Sequence, residues 1–342
     1  MVSLVITSIS TLFRFAKLEF EIQLQDDFAR AGFLGSRLRG GYGLALLAQL
    51  CRRDDPLSCA ASPQICECDY LRLFLPHRNN LKLKLVGAPL GNNQNLPATF
   101  VLDPPDGREC PYKSAERIKF SFIAIGPMCD FLEQSVKAFE SFGKAGFIVD
   151  SHHRARFALV TVRNALVPRE PSYKPGDSAA HAIRNTLDAV SLTPQFKSEL
   201  GIRFSTPTRI ENQNARRKDR ETGLAVFSDF YDVVYNAAQR VGGLWQLYGE
   251  DWPGPTEFFR WRERLLKLSR EITTIENNLK VIRLRGYSNM QEAPKPLDGF
   301  LGSMRFSGDL SPFFELLRIA EIVHLGSETT CGLGAFRVDN GE

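Results

Sequence analysis

At 342 residues, with 43% apolar and 24% charged residues, the chain has the make-up of a globular protein long enough for two domains. A net charge of only +4 excludes a polycationic chain, so any anion binding has to be local. Seven cysteines without a recognisable secretory signal suit a reducing cytoplasm, and no uninterrupted apolar run reaches membrane-spanning length.

The opening MVSLVITSISTLF is followed by Arg14 and Lys17 and is expected to lead into a first strand. Over residues 18–24, Leu18, Phe20, Ile22 and Leu24 alternate with Glu19, Glu21 and Gln23, the period of a half-buried strand. Leu34, Leu38, Leu46, Leu47 and Leu50 then predict a helix over 34–50, with the Gly-rich GSRLRGGYG at its start. A strand is expected near 71–86 and another at IKFSFIAIG, 118–126. Phe131, Leu132, Ser135, Phe139 and Phe142 predict a helix ending at Gly143, and the turn GKAGF leads to a strand at 157–162. This half reads as βαββαβ, the ferredoxin-like unit.

Prolines in VPREP, SYKPGD and SLTP disfavour regular structure from about 164 to 198 and mark a connection. The order then repeats. The strand GIRFSTPTRI leads through the basic segment NARRKDRE to a helix capped by Ser228, with an apolar face of Phe230, Val233, Val234, Ala237, Val241 and Leu244. Phe258, Trp261, Leu265, Leu268, Ile272, Ile275 and Leu279 predict a second long helix inserted after it. Strands near 280–286 and 299–307, a helix over 311–324 and a strand from Leu333 complete the unit. The fold class expected is α+β: two tandem ferredoxin-like, RRM-like βαββαβ domains, at 1–165 and 200–342, joined by 166–199, with a Gly-rich loop near the C-terminus.

That loop is the most informative stretch. Gly326, Gly332 and Gly334 have no Cβ to keep a partner away, while Ser327, Thr329 and Thr330 offer hydroxyls to phosphate oxygens, so close approach of an RNA backbone is expected. On that expectation, Gly334→Ala weakens RNA binding and leaves stability nearly unchanged. Around it runs an ordered series: Tyr287, Ser288, Asn289 and Gln291; Gly299 and Gly302; Gly308-Asp309-Leu310-Ser311-Pro312-Phe313; Glu321; His324-Leu325-Gly326; Thr329-Thr330; and Gly332-Leu333-Gly334. In these residues the chain resembles the C-terminal domain of the CRISPR-associated pre-crRNA-processing endoribonucleases of the RAMP superfamily. The resemblance reaches more loosely into the first half through Leu38-Arg39-Gly40, Tyr42, Gly43, Cys51 and CDYLRLFLP.

The resemblance implies cleavage of CRISPR repeat RNA without a metal or other cofactor. A ribose 2′-hydroxyl attacks the adjacent phosphate to leave a 2′,3′-cyclic phosphate and a free 5′-hydroxyl. It also implies partners among CRISPR effector subunits, and the alternative of a non-catalytic RAMP subunit that binds RNA. The reaction needs a base, an acid and cations on the phosphorane. His324 stands at a helix end beside the Gly-rich turn, His153 with His152 follows the matching turn of the first half, and His77 follows YLRLFLP; His181 lies in the connection. The first helix, where some family members carry their base, has Arg37, Arg39 and Tyr42 but no histidine. The catalytic candidates are therefore His324, His77, His153 and Tyr42. Arg37, Arg39, Arg216, Arg217, Lys218, Arg283 and Arg285 are candidates for phosphate contact, and Tyr287 for base stacking. Cys51, Cys59, Cys66 and Cys68 cluster, but without the paired CxxC spacing of a zinc site, and no metal is assigned to them.

Overall fold

The structure is a computed structural model that describes residues 12–28, 33–53, 68–78, 89–91, 96–105, 111–150, 152–167, 198–210, 223–288 and 293–339. Strand β1 (Phe15–Leu24) is followed by helix α1 (Leu34–Leu50), a short helix α2 (Asp69–Phe74), β2 (Phe100–Asp103) and β3 (Arg117–Ile125). Helix α3 (Leu132–Ala145), the small hairpin β4 (Phe147–Ile148) and β5 (Arg154–Ala155), and strand β6 (Phe157–Asn164) end the first half. All pairs in its sheet are antiparallel, in the order β2-β3-β1-β6.

The second half repeats this. Strand β7 (Glu199–Thr208), helices α4 (Phe230–Tyr248) and α5 (Pro255–Ser269), and strands β8 (Thr273–Asn277) and β9 (Lys280–Ile282) come first. The hairpin β10 (Arg285–Ser288) and β11 (Ala293–Pro296), then β12 (Gly299–Ser307), helix α6 (Phe314–Val323) and β13 (Phe336–Asp339) follow. The sheet order is β13-β7-β12-β8, with β9 also on β12. Read by position within each half, both sheets run fourth-first-third-second, which is the ferredoxin-like order, and the α+β tandem expected from the sequence is what the chain forms.

Local chemistry explains where the elements depart from expectation. Residues 69–74 are helical rather than extended, because burial of Tyr70, Leu71, Leu73 and Phe74 follows a helical face. Strand β2 went unread: FVLD is buried at all four positions and shows no alternation. Asp229, not Ser228, caps α4; its side chain accepts from the amide of Asp232 while the Asp232 carboxylate accepts from the amide of Ser228, a reciprocal cap. Helix α5 stops at Ser269, so Ile272 lies in the turn after it and Ile275 in β8, while Leu279 follows β8. The last strand starts at Phe336 rather than Leu333.

One face of the first sheet, with Leu18, Phe20, Ile22 and Phe122, packs on α1 and α3 around Tyr42 and Phe139, whose rings stack 4.7 Å apart. From the other face, Phe15, Val101, Ile123 and Ile125 join the core of the second half, which includes Ile202, Phe204, Phe230 and Val234. The halves therefore share apolar packing.

The turn between α6 and β13 closes the joint. A Cβ on Gly334 (φ +78°) would stand 1.8 Å from the Leu325 carbonyl oxygen, one on Gly326 (φ +76°) 2.1 Å from that of Arg209, and one on Gly332 (φ +85°) 2.3 Å from Cδ of Pro104 just after β2. Beside this turn lies a charge cluster drawn from both halves, with Asp103 and His324 buried and Arg337 reaching in from the surface. Asp103 accepts from Lys17 Nζ at 3.3 Å and Arg337 Nη2 at 3.4 Å, and His324 Nε2 lies 3.9 Å from its other oxygen. His324 is 1% exposed, and its Nδ1 lies 3.2 Å from the Leu333 carbonyl, so Nδ1 carries the proton of a neutral ring. Burial pulls His324 down to about 4, against Asp103 and with the help of Lys17 and Arg337. Burial opposes ionisation of Asp103, yet His324, Lys17 and Arg337 together hold it below the ordinary carboxylate range.

Two outcomes follow. Gly334→Ala is expected to lower folding stability on the order of 2–3 kcal/mol, through positive φ and a backbone collision together; a thermal melt matching the parent's contradicts this. For pH, the unfolded chain takes up a proton at His324 near 6.5 while the folded chain resists to about 4, so stability is lost as pH falls through that window. The loss is on the order of 3 kcal/mol at about 1.4 kcal/mol per unit, and Asp103 adds to it at still lower pH. Melting temperatures from pH 7.5 to 4 should fall less steeply in His324→Asn than in the parent; parallel curves would show that His324 is not the titrating group.

Candidate functional site

The first turns of α1 face the Gly-rich turn. Gly35 has no side chain because the Cys331 carbonyl oxygen stands 1.9 Å from where its Cβ would be. One helical turn on, Arg39 Nε donates to Thr330 Oγ1 at 3.0 Å, and its guanidinium lies over the Phe74 ring at 4.8 Å. From the other half, Arg240 Nη2 donates to Thr329 Oγ1 at 2.9 Å, and its Nε to the Val323 carbonyl at 3.2 Å. Two arginines from two helices thus hold successive threonines of a short 3₁₀ turn, Thr329–Cys331.

The β10–β11 hairpin covers the same end of α1. Gly286 sits where a Cβ would meet Leu297 at 2.7 Å and Ser36 Oγ at 3.0 Å, and it is directly opposite Lys295 in the hairpin register. Lys295 Nζ pairs with the carboxylate of Glu328, which precedes Thr329 and has φ +59°. Cys331 Sγ is 3.7 Å from Glu328 Oε2. Burial pushes the Cys331 thiol up to about 11, with Arg39 and Lys295 pulling it down and Glu328 pushing it up, so both cations act on this one side chain. Arg285 is exposed at the start of β10, and Arg209 donates to the Pro296 carbonyl at 3.3 Å.

The residues singled out in the sequence fall in different places. Gly326, Gly332 and Gly334 face protein backbone and Pro104, so the room expected there for an RNA backbone is already filled. The hydroxyls of Thr329 and Thr330 are taken by Arg240 and Arg39. Tyr42 is fully buried, with its hydroxyl 3.0 Å from Ser135 Oγ; burial pushes its pKa well up, so it is a core residue and not a surface base. His324 stands at the turn but is sealed under it.

The other histidines stand away from the turn. His153 is exposed, its Nδ1 3.2 Å from both oxygens of Asp150, in the β4–β5 hairpin. That hairpin meets α1 through Arg37 Nη1, which donates to the Ile148 carbonyl at 2.9 Å. Arg37 and Arg39 are about 200° apart around the helix, so His153 and the Gly-rich turn lie on opposite sides of α1. His77 is half-buried beyond α2, where Pro76 accepts from the amide of Leu96 and Leu73 from that of Thr99. Thr99 precedes β2 whereas the turn meets Pro104 after it, a separation of roughly 16 Å at about 3.3 Å per residue. Among the described residues, then, no solvent-facing imidazole stands at the turn.

Arg283 is exposed between β9 and β10, and Tyr287 lies in β10 opposite Pro294. Arg216, Arg217 and Lys218, like His181, Cys59 and Cys66, lie outside the described residues. Sequence reasoning missed Ser36, Arg240, Lys295 and Glu328. Only the two prolines flanking Lys295 mark it locally as a fixed position.

Comparison with known proteins was then informative. Residues 13–185 match the AF_1859-type N-terminal domain family, and residues 202–336 match the family described as CRISPR-associated endoribonuclease Cas6. No curated protein matches the sequence. Among solved structures, the chain resembles Thermus thermophilus Cas6 in a product complex, at 14% identity and a TM-score of 0.50, covering 95% of this chain and 99% of that one. It also resembles a chain of a partial Cas6-RT-Cas1–Cas2 complex, at 12% identity and a TM-score of 0.51, with 96% of this chain covered but only 46% of that one. At such identities the likeness is one of fold. Among the described residues no helix is long and apolar enough to cross a membrane. With the two family matches spanning both sheets, the chain belongs to the Cas6-type family of CRISPR-associated pre-crRNA-processing endoribonucleases.

Proposed function

We propose that the protein cuts CRISPR repeat RNA within precursor crRNA, without a metal ion, by attack of a ribose 2′-hydroxyl on the adjacent phosphate. The O2′–P bond forms as the P–O5′ bond breaks; the hydroxyl proton passes to solvent hydroxide and the 5′-oxygen takes one from water. The products are a 2′,3′-cyclic phosphate and a free 5′-hydroxyl. The protein's part is to hold the 2′-oxygen in line and to neutralise the charge growing on the phosphorane.

The observation that carries this reading is the setting of Arg39. Its Nε is fixed by Thr330 and its flat face by Phe74, which leaves the terminal nitrogens as a prearranged fork for phosphate oxygens where the two halves meet. The sealed rings of Tyr42 and His324 support a mechanism that relies on charge rather than on a protein base. The same burial also favours a second reading, a non-catalytic RAMP-type subunit that binds repeat RNA as part of a larger CRISPR complex.

Incubation of purified protein with repeat RNA separates the two. Cleavage is expected to persist in EDTA and to disappear with a 2′-deoxy nucleotide at the cut site, while binding of that RNA is retained. The rate should climb with pH by about tenfold per unit through neutrality, as hydroxide-dependent attack requires, without the plateau of a titrating imidazole. Inhibition by EDTA or cutting of the deoxy substrate contradicts the mechanism, and binding without any cutting supports the second reading.

A further inference from the structure

We infer that Lys295 is a second cation of the cleavage site, its ammonium group contacting a non-bridging oxygen of the scissile phosphate, with Glu328 holding it in position until RNA arrives. The inference rests on the endoribonuclease reading above and extends it to a residue and a division of labour.

Three observations place Lys295 there. First, the hairpin that carries it is pressed onto the start of α1: Lys295 faces Gly286 across the register, and the bare α-carbon of Gly286 lies against Ser36 and Leu297. Second, Lys295 pairs with Glu328, the residue immediately before the 3₁₀ turn whose Thr330 anchors Arg39. Third, Arg39 contacts Thr330 within the three-residue turn while Lys295 contacts Glu328 just before it, so the two cations reach the same turn from different parts of the chain.

Pro294 and Pro296 flank Lys295, and each fixes its own φ near −65°, which narrows the backbone conformations open to this strand of the hairpin. Glu328 adopts the left-handed conformation that is unfavourable for a non-glycine residue, and its carbonyl is held by the amides of Cys331 at 2.8 Å and Leu333 at 3.3 Å. A strained residue kept in place at the junction of two halves suits a working position rather than a solvated loop.

The pairing is also of the right strength. Lys295 and Glu328 side chains are 42% and 24% exposed, and an ion pair of that exposure is weakened by solvent screening. A phosphate can therefore take the carboxylate's place at the ammonium group. As O2′ attacks, negative charge accumulates on the non-bridging oxygens, and a cation already fixed there is worth more in the transition state than in the bound ground state. Lys295 transfers no proton in this scheme.

The test compares single-turnover cleavage at saturating protein with the affinity for 2′-deoxy repeat RNA. Lys295→Ala is expected to slow cleavage about 100-fold, the usual effect of losing one oxyanion donor, while affinity and melting temperature stay close to the parent's. Lys295→Arg should restore much of the rate. A single-diastereomer phosphorothioate at the scissile phosphate should slow the parent in one of the two diastereomers, and that difference should vanish in Lys295→Ala; a merely structural lysine would leave it intact. If Lys295→Ala cuts at the parental rate, if its rate falls only in step with affinity, or if the thio effect survives, the inference is overturned while the nuclease reading stands. An inactive parent protein removes both.

Discussion

The Leu325 carbonyl oxygen, 1.8 Å from where a Cβ at position 334 would stand, leaves the chain after α6 a single path to β13. On that path the turn bends under Pro104, presents Cys331 to Gly35, and carries Thr329 and Thr330 to arginines from different helices. Neither half makes the turn's surroundings alone. Its glycines are missing side chains because protein, not ligand, occupies the space. Tight protein packing at the turn is compatible with the RNA chemistry proposed beside it, because the packing fixes Arg39 through Thr330.

At this joint Asp103 and His324 are buried, Lys17 is largely covered and Arg337 reaches in from the surface; the histidine is kept neutral, a setting that resists protonation and ties the sheets together. On the other side of the turn, Arg39 and Lys295 are only partly covered and keep their charges within reach of solvent. The imidazole that the motif places next to the Gly-rich turn thus belongs to the structural layer, and guanidinium and ammonium groups make up the accessible one. On the proposed reading, such a site acts on phosphorane charge and geometry, the terms that need no group titrating near neutrality.

Most of the fold was legible because both halves spell it in periodicity: alternation in β1, a helical stripe in α1 and α4, and glycine after α3. What escaped had no periodic signature. Strand β2 is buried on both faces, and the end of α5 is hidden because its apolar spacing runs on into β8. The site was legible as a region but not as an assignment of roles. The HLGSETTCGLG stretch pointed to the turn, yet whether a glycine makes room for RNA or for a neighbouring carbonyl depends on residues more than a hundred positions away, such as Arg209 and Pro104. For the same reason Tyr42, polar in sequence, was open to a surface reading until Phe74, Phe100, Phe122 and Phe139 enclosed it. Lys295 drew no notice because its partner lies 33 residues on.

The most direct test of the central claim, that the joint between the halves is also where the scissile phosphate sits, is a crystal structure with repeat RNA carrying a 2′-deoxy nucleotide at the cut site. The account predicts the scissile phosphate beside the Thr329–Cys331 turn, within hydrogen-bonding distance of Arg39 and Lys295, with the glycine turn itself unmoved. A phosphate bound on the His153 side of α1, or a turn that opens to admit the RNA backbone at Gly332 and Gly334, would contradict it.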